Sequence, residues 1–161
     1  AARLAGRLEQ LLDAVTAAAL VVMVLAMVWQ VLGRYVLDHA PSWSEELSRY
    51  LMVWMTMLGS AAVLRHGSHI SVTTLTDSLP PRALAVVLAV RDAALVATSG
   101  VLAWWGYLFA ELNGVQASAA MEIPMSVPYA ALPVGALLIV LMVVLARLAG
   151  RPVPATAGEN F

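Results

Sequence analysis

The sequence predicts an all-α membrane protein with four transmembrane helices, short loops and a membrane-surface segment between helices 2 and 3. Of the 161 residues, 61% are hydrophobic and 12% are charged, whereas soluble domains contain about 25% charged residues. Four apolar runs approach the roughly 20 residues that a helix needs to cross a hydrocarbon core about 30 Å thick. Most of the charged residues lie outside or at the ends of these runs.

The four predicted spans belong to one domain, residues 1–150. The first span, 14–33, is uncharged, and the second, 47–64, has only Arg49, close enough to its start to reach the headgroups. The third, 93–110, lies in a helix that can run from Arg82 to Asn113, about 48 Å at 1.5 Å per residue. The fourth, 125–146, contains Pro133, which should kink the helix or lie in its early turns. Residues 151–161 are expected to be a disordered tail.

The arginines predict the orientation of these spans. Positive charge accumulates on the cytoplasmic side of short loops. With four crossings, the termini share one side with the loop after the second span, and that side has seven of the nine arginines. The other side has Arg34 and Arg49. We therefore expect both termini in the cytoplasm.

Polar groups are concentrated at the start of the second span. Glu45 and Arg49 are four residues apart, as are Glu46 and Tyr50, so each pair lies on one helical face. A local interpretation is a capping box formed by Ser42 and Glu45 at the start of the helix. The functional interpretation is a polar contact with a second protein.

Two other polar pairs allow alternative interpretations. His66 and His69 are three residues apart, but Gly67 lies between them and no third ligand is near, so loop or interface hydrogen bonding is favoured over metal binding. Arg91 and Asp92 are adjacent and thus about 100° apart around the helix axis, so we expect that they cannot simply face one another. We expect each to need its own partner, either at the cytoplasmic interface or on another helix.

Small residues predict where the helices pack closely, because glycine and alanine let helix backbones approach each other in membranes. Three groups of them occur in the last three spans. They are Gly59-Ser60-Ala61-Ala62, Gly106 with Ala110, and Gly135 with Ala136.

The spans lack the groups that several membrane functions require. Transporters usually keep ionisable residues near the middle of the membrane, and the first and fourth spans have none between their ends. The histidines map to loops, which disfavours haem, and the spans lack protease-type catalytic groups. The chain has no cysteine and a net charge of −1, which disfavours thiol chemistry and nucleic-acid binding. We expect no enzymatic activity, cofactor or bound metal.

Three sequence blocks carry a resemblance to a known family. The first is Arg34-Tyr35 followed by residues 42–50, and the second is residues 65–72, which read Arg-x-Gly-x-His-Ile-x-Val. The third consists of Ile123-Pro124-Met125, Tyr129 and residues 132–135. In order and spacing these blocks resemble the small membrane subunit of tripartite ATP-independent periplasmic (TRAP) transporters, the DctQ-like family.

The resemblance implies a scaffold subunit for organic-acid uptake in a bacterial or archaeal inner membrane. Its partners would be a large membrane subunit with the substrate and sodium sites, a periplasmic substrate-binding protein and membrane lipids, without direct contact to substrate. The candidate partner-interface residues are Arg34, Trp43, Glu45, Glu46, Arg49, Tyr50, His69, Arg91, Pro124 and Tyr129. The alternatives are a small homodimeric secondary transporter and, less favoured, an electron-transfer anchor.

The predicted orientation can be tested by cysteine labelling, because the chain has no native cysteine. Cysteines at Ala40 and Gly114 should react with an impermeant thiol reagent added outside the cell, and a cysteine at Ser68 should not. Labelling of the Ser68 variant alone would reverse the topology.

Overall fold

The computed structural model describes residues 2–37, 41–66 and 80–148. The regular elements in these ranges are helices: α1 Ala2–Tyr35, α2 Ser42–His66, α3 Pro81–Leu112, α4 Ser126–Tyr129 and α5 Ala131–Leu148. The predicted membrane-surface segment and the tail at 151–161 lie outside the described residues.

Four helical stretches are long and apolar enough to cross a membrane, which confirms the predicted fold class. They are Gly6–Tyr35, Ser42–Leu64, Arg82–Leu112 and Ser126–Leu148. Each stretch extends beyond the apolar run from which it was predicted, because a helix can continue past the hydrocarbon core to the depth where charged side chains meet headgroups and water. The third helix ends one residue before the predicted limit at Asn113.

The fourth span is interrupted near its start. Ala130 separates α4 from α5, and Pro133 is the third residue of α5. Proline has no N–H to donate to the carbonyl four residues earlier, so one helical hydrogen bond is absent at this point. The helical path is maintained on either side of it, since Ala130 donates to Ser126 O at 2.8 Å and Val134 donates to Ala130 O at 3.1 Å. Pro133 thus lies in an early turn, as predicted.

The four spans form a row, not a closed bundle. α1 packs on α2, α2 packs on α5, and α5 packs on α3, while α1 makes a smaller contact with α5. α1 and α3 have no extensive contact with each other in the part of the chain that the structure describes. Only 11% of the most apolar stretch of α1 and of α3 is buried, against 39% of the α4–α5 stretch. The outer helices therefore expose broad apolar faces.

The row has two distinct ends. At the loop end, α1 finishes, α2 begins, and residues 113–125 connect α3 to α4. At the arginine end, α2 and α5 finish and α1 begins, and the buried core lies towards this end. The core residues are Leu12, Ala61, Ala62, Leu64, Met142 and Val143.

Two glycines allow the close helix contacts that hold the row together. A Cβ atom on Gly135 would lie 2.5 Å from Met57 Cβ, so α5 approaches α2 at this point. A Cβ on Gly106 would lie 2.9 Å from Leu132 Cβ, so α3 approaches α5 in the same way. Both predicted contacts are confirmed. Gly59 differs, since a Cβ there would meet no atom within 4 Å. The sequence left open whether its group forms a contact within the chain or between subunits; Ala61 and Ala62 of that group are buried within the chain.

The Gly135 contact predicts a specific loss of stability. Gly135→Ala should lower the free energy of unfolding by about 1–3 kcal/mol, the usual cost of overpacking, because the clash is with a Cβ atom close to the α2 backbone. Thermal unfolding in detergent would measure it. The matched control is Gly100→Ala on α3, where a Cβ meets nothing within 4 Å. An equal effect of the two substitutions would contradict the close contact.

Candidate functional site at the loop end

The start of α2 is held by serine hydroxyls. Ser44 is completely buried, and its Oγ donates to Pro41 O at 2.7 Å. Ser48, also buried, donates to Ser44 O at 2.8 Å. The helix begins at Ser42 itself, and the Glu45 carboxylate accepts a hydrogen bond from Arg49 at 3.1 Å. The capping-box interpretation was therefore wrong, and the predicted pairing of Glu45 with Arg49 is confirmed.

The two glutamates at this position make different contacts. The Glu45–Arg49 pair is exposed, with about two thirds of each side chain accessible (64% and 66%), and such pairs contribute little to stability. Glu46 instead joins α2 to the loop: its Oε2 accepts the backbone N–H groups of Ala120 and Met121, both at 2.9 Å. Its Oε1 accepts the hydroxyl of Tyr50. One carboxylate therefore connects α2 to a segment more than 70 residues further along the chain.

The loop is shaped to present those two N–H groups. Ser118 N–H donates to Ile123 O, and Met125 N–H donates to Gln116 O, both at 2.8 Å, so the two sides of the loop pair as a short hairpin. Glu122 closes its turn with φ at 55°, a left-handed conformation that costs about 1–2 kcal/mol for residues other than glycine. By accepting hydrogen bonds from Ala120 and Met121, the Glu46 carboxylate helps to hold the turn that contains Glu122.

A cleft of about 560 Å³ lies between α2, this loop and the start of the fourth span. Its polar lining includes Glu46, Arg49, Tyr50 and Gln116, and Met125 Sδ lies 3.3 Å from the Tyr50 hydroxyl oxygen. Ser118 also lines the cleft, and its buried side-chain oxygen lies against the Glu46 carboxylate and the Tyr50 hydroxyl, close enough to interact with both but without ideal hydrogen-bond geometry. The cleft thus combines hydrogen-bonding groups with an unoccupied apolar volume.

Most of the candidate interface residues come together at the loop end. Tyr129 packs edge-on against Phe109 with ring centroids 4.8 Å apart, and Trp43 is exposed. His69 lies outside the described residues, and Arg91 lies at the arginine end. The eight residues at the loop end are Arg34, Trp43, Glu45, Glu46, Arg49, Tyr50, Pro124 and Tyr129. Their role as a partner interface stays a prediction.

The arginine end has its own ion cluster. Arg91 donates from Nε and Nη2 to Asp92 Oδ1 at 3.0 and 2.9 Å. The expectation that these adjacent residues cannot face each other was wrong, because the long arginine side chain curves back across the 100° that separate their Cβ directions. Arg147 of α5 lies 2.6 Å from Asp92 Oδ2 and also donates to Leu88 O. Asp92 is buried, and its contact with Arg147 agrees with the alternative in which one of the two residues pairs with another helix.

The described spans contain no ionisable group deep in the row. Acids and arginines occur only near the two ends, and residues 51–64, 93–110 and 126–146 have none. Within residues 2–37, 41–66 and 80–148 no cluster of His, Asp or Glu could hold a metal ion.

Comparison with known proteins agrees with this arrangement. The family described as tripartite ATP-independent periplasmic transporters, DctQ component, matches residues 23–151. This chain belongs to that family. As a TRAP small permease subunit it is a multi-pass inner-membrane protein that associates with a large membrane subunit.

Three relatives illustrate the family. The sialic acid TRAP transporter small permease protein SiaQ of Vibrio cholerae is 30% identical over 80% of this chain and 74% of its own length. The C4-dicarboxylate TRAP transporter small permease protein DctQ of Rhodobacter capsulatus is 31% identical over 58% of this chain and 42% of its own. The isethionate TRAP transporter permease protein DctMQ of Oleidesulfovibrio alaskensis is 25% identical over 73% of this chain, but over only 20% of its own length. In DctMQ the similar segment is thus part of a much longer chain.

Sequence reasoning missed the contribution of the loop before the fourth span. The sequence placed Glu46 on the same helical face as Tyr50. Its contact with Ala120 and Met121, however, is made to backbone N–H groups, which every residue type except proline provides. Ser118 lies among alanines and carries no pattern that predicts its burial.

The Glu46 contact predicts a local change in amide exchange. In Glu46→Ala the N–H groups of Ala120 and Met121 lose their acceptor, so both should exchange with deuterium at least several-fold faster than in the native protein. Glu45→Ala is the control, since the neighbouring carboxylate contacts only exposed Arg49. Unchanged exchange in Glu46→Ala would show that the loop is held by other contacts.

Proposed function

We propose that this chain is the scaffold subunit of a TRAP-type secondary transporter for organic acids. In this role it holds the static part of the large membrane subunit in the bilayer and offers its loop end to a periplasmic substrate-binding protein. The observation that carries the proposal is the row of four spans, which has two broad faces and no ionisable group at depth in the described residues.

The row supports a scaffold role because it leaves the helices available for further contacts. A closed bundle would bury its polar and small residues inside, whereas here α1 and α3 are each packed along one side only. Helix association in membranes depends on close packing and hydrogen bonds, since lipid is as apolar as the side chains. A partner subunit can therefore extend the row without unfolding it.

The absence of deep ionisable groups supports placing substrate and ion sites elsewhere in the complex. Coupling to sodium or protons needs a coordinating or titrating site near the membrane midplane, commonly where helices break. The described spans break at Ala130, three residues before Pro133, and the nearby Leu132, Val134 and Gly135 offer backbone carbonyls only. We infer that the large subunit provides the sites for substrate and sodium.

The proposed substrate class and orientation complete this role. Relatives are named for sialic acid, C4-dicarboxylate and isethionate, all of them organic acids, which supports an acid as the solute of the complex. The arginine distribution supports cytoplasmic termini and therefore a periplasmic loop end. Glu45, Arg49 and Trp43 are then exposed on the side from which a binding protein approaches.

Reconstitution tests the proposal. The large subunit should co-purify with this chain, and proteoliposomes should take up an organic acid only when this chain, the large subunit and the binding protein are all present. Vesicles with this chain alone should show no flux. Flux through the chain alone would favour the homodimeric transporter, and full uptake by the other two proteins without it would remove the scaffold role.

A further inference from the structure

Two arginines from different helices meet at one buried carboxylate at the arginine end. The Asp92 carboxylate contacts Arg91 of α3 through Oδ1 at 2.9 Å and Arg147 of α5 through Oδ2 at 2.6 Å. Because both oxygens belong to one carboxylate, the two guanidinium groups lie side by side. At the loop end, by contrast, Glu45 contacts one arginine, Arg49. We call Arg91, Asp92 and Arg147 the Asp92 cluster.

The guanidinium group of Arg147 is held in place without using all of its donors. Its Nε donates to Asp92 Oδ2 at 2.6 Å, and its Nη2 donates to Leu88 O at 3.3 Å. Its Nη1 has no hydrogen-bond partner among residues 2–37, 41–66 and 80–148, and 46% of the side chain is accessible. Arginine has five N–H donors, so this fixed cation presents donors on its accessible side.

The Asp92 cluster lies at the border of the hydrocarbon core. Asp92 and Glu111 are the acids at the two ends of the charge-free part of α3, 19 positions apart. This separation corresponds to about 28 Å at 1.5 Å per residue, which matches a core about 30 Å thick. Lipid headgroups begin at this border, within reach of an arginine side chain.

The surface around the cluster is apolar. An exposed valine lies one turn before each arginine: Val87 before Arg91 and Val144 before Arg147, each 44% exposed. Leu148, next to Arg147, is 72% exposed. The accessible donors of the cluster thus adjoin surface that a bilayer covers, and the anions within their reach are those of lipid headgroups.

The charge of the two ends favours an anionic ligand at the arginine end. Residues 1–13, 65–92 and 147–161 contain seven arginines and five acids, whereas residues 34–50 and 111–124 contain two arginines and five acids. Five acids can balance at most five of the seven arginines. Positive charge near the membrane surface attracts anionic lipids, and basic pockets between transmembrane helices bind their headgroups.

We propose that the Asp92 cluster binds the phosphate group of one anionic phospholipid, with the Arg147 guanidinium as the main donor and Arg91 beside it. Arginine binds phosphate oxygens through paired N–H groups, and such charge-assisted hydrogen bonds are stronger than neutral ones. Asp92 is a positioning residue: it orients both guanidinium groups and does not contact the lipid. The inference goes beyond the scaffold role and holds for the chain without its partner subunits.

Two matched double variants test the site. Asp92→Asn with Arg147→Gln removes the ion pair between helices, Glu45→Gln with Arg49→Gln removes the exposed pair at the loop end, and both leave the net charge unchanged. The native chain in detergent should bind dioleoylphosphatidylglycerol about fivefold more tightly than dioleoylphosphatidylcholine, as measured by native mass spectrometry. The Asp92/Arg147 variant should lose this preference, and the Glu45/Arg49 variant should keep it. Equal loss in both variants, or an unchanged preference in both, overturns the assignment.

Photolabelling of the native chain keeps the test independent of how the variants fold. A phosphatidylglycerol analogue with a photoactivatable group at its headgroup should label the end of α5 around Leu148 in preference to residues 113–125. Excess inorganic phosphate should not reduce this labelling, because a free anion is not held at the border by acyl chains. Competition by phosphate would reject a lipid in favour of a soluble anion. Labelling mainly at residues 113–125, or loss of the label when the large subunit binds, would also reject the site.

Discussion

The close contact between α2 and α5 at Met57 and Gly135 is the constraint on which the rest of the structure depends. This contact lies at the centre of the row, because α1 packs mainly on α2 and α3 packs on α5. The absence of a side chain at Gly135 lets the two helices approach to a distance that a single Cβ would prevent. The hydrophobic effect contributes little to helix association in lipid. The close packing of Gly135 against Met57 therefore connects the α1–α2 pair to the α3–α5 pair.

At each end of the row, one carboxylate contacts a segment outside its own helix. At the loop end, the Glu46 carboxylate of α2 accepts hydrogen bonds from backbone N–H groups of the loop between α3 and α4. This contact links α2 to the segment that leads into α4 and α5. At the other end, Asp92 of α3 holds Arg147 of α5. Charge-assisted hydrogen bonds strengthen where water is scarce. The two carboxylates thus fix the ends, while glycine contacts fix the centre.

The parts of this structure that follow from local patterns could be predicted, and those that depend on side-chain reach could not. Apolar runs located all four spans, and Gly106 and Gly135 marked close contacts, because helix length and the lack of a Cβ act directly on the backbone. The Arg91–Asp92 contact was missed because spacing around a helix says nothing about how far an arginine bends. The cleft beside Ser118 was missed because three separate segments form it, and no single segment shows the volume between them.

The open row leaves broad helix faces available for contacts outside the chain. A bilayer covers the exposed valines and leucines of α1 and α5 as well as protein would, so these faces do not discriminate between lipid and a second chain. Discrimination between lipid and protein therefore depends on close packing and interhelical hydrogen bonds, which acyl chains cannot provide.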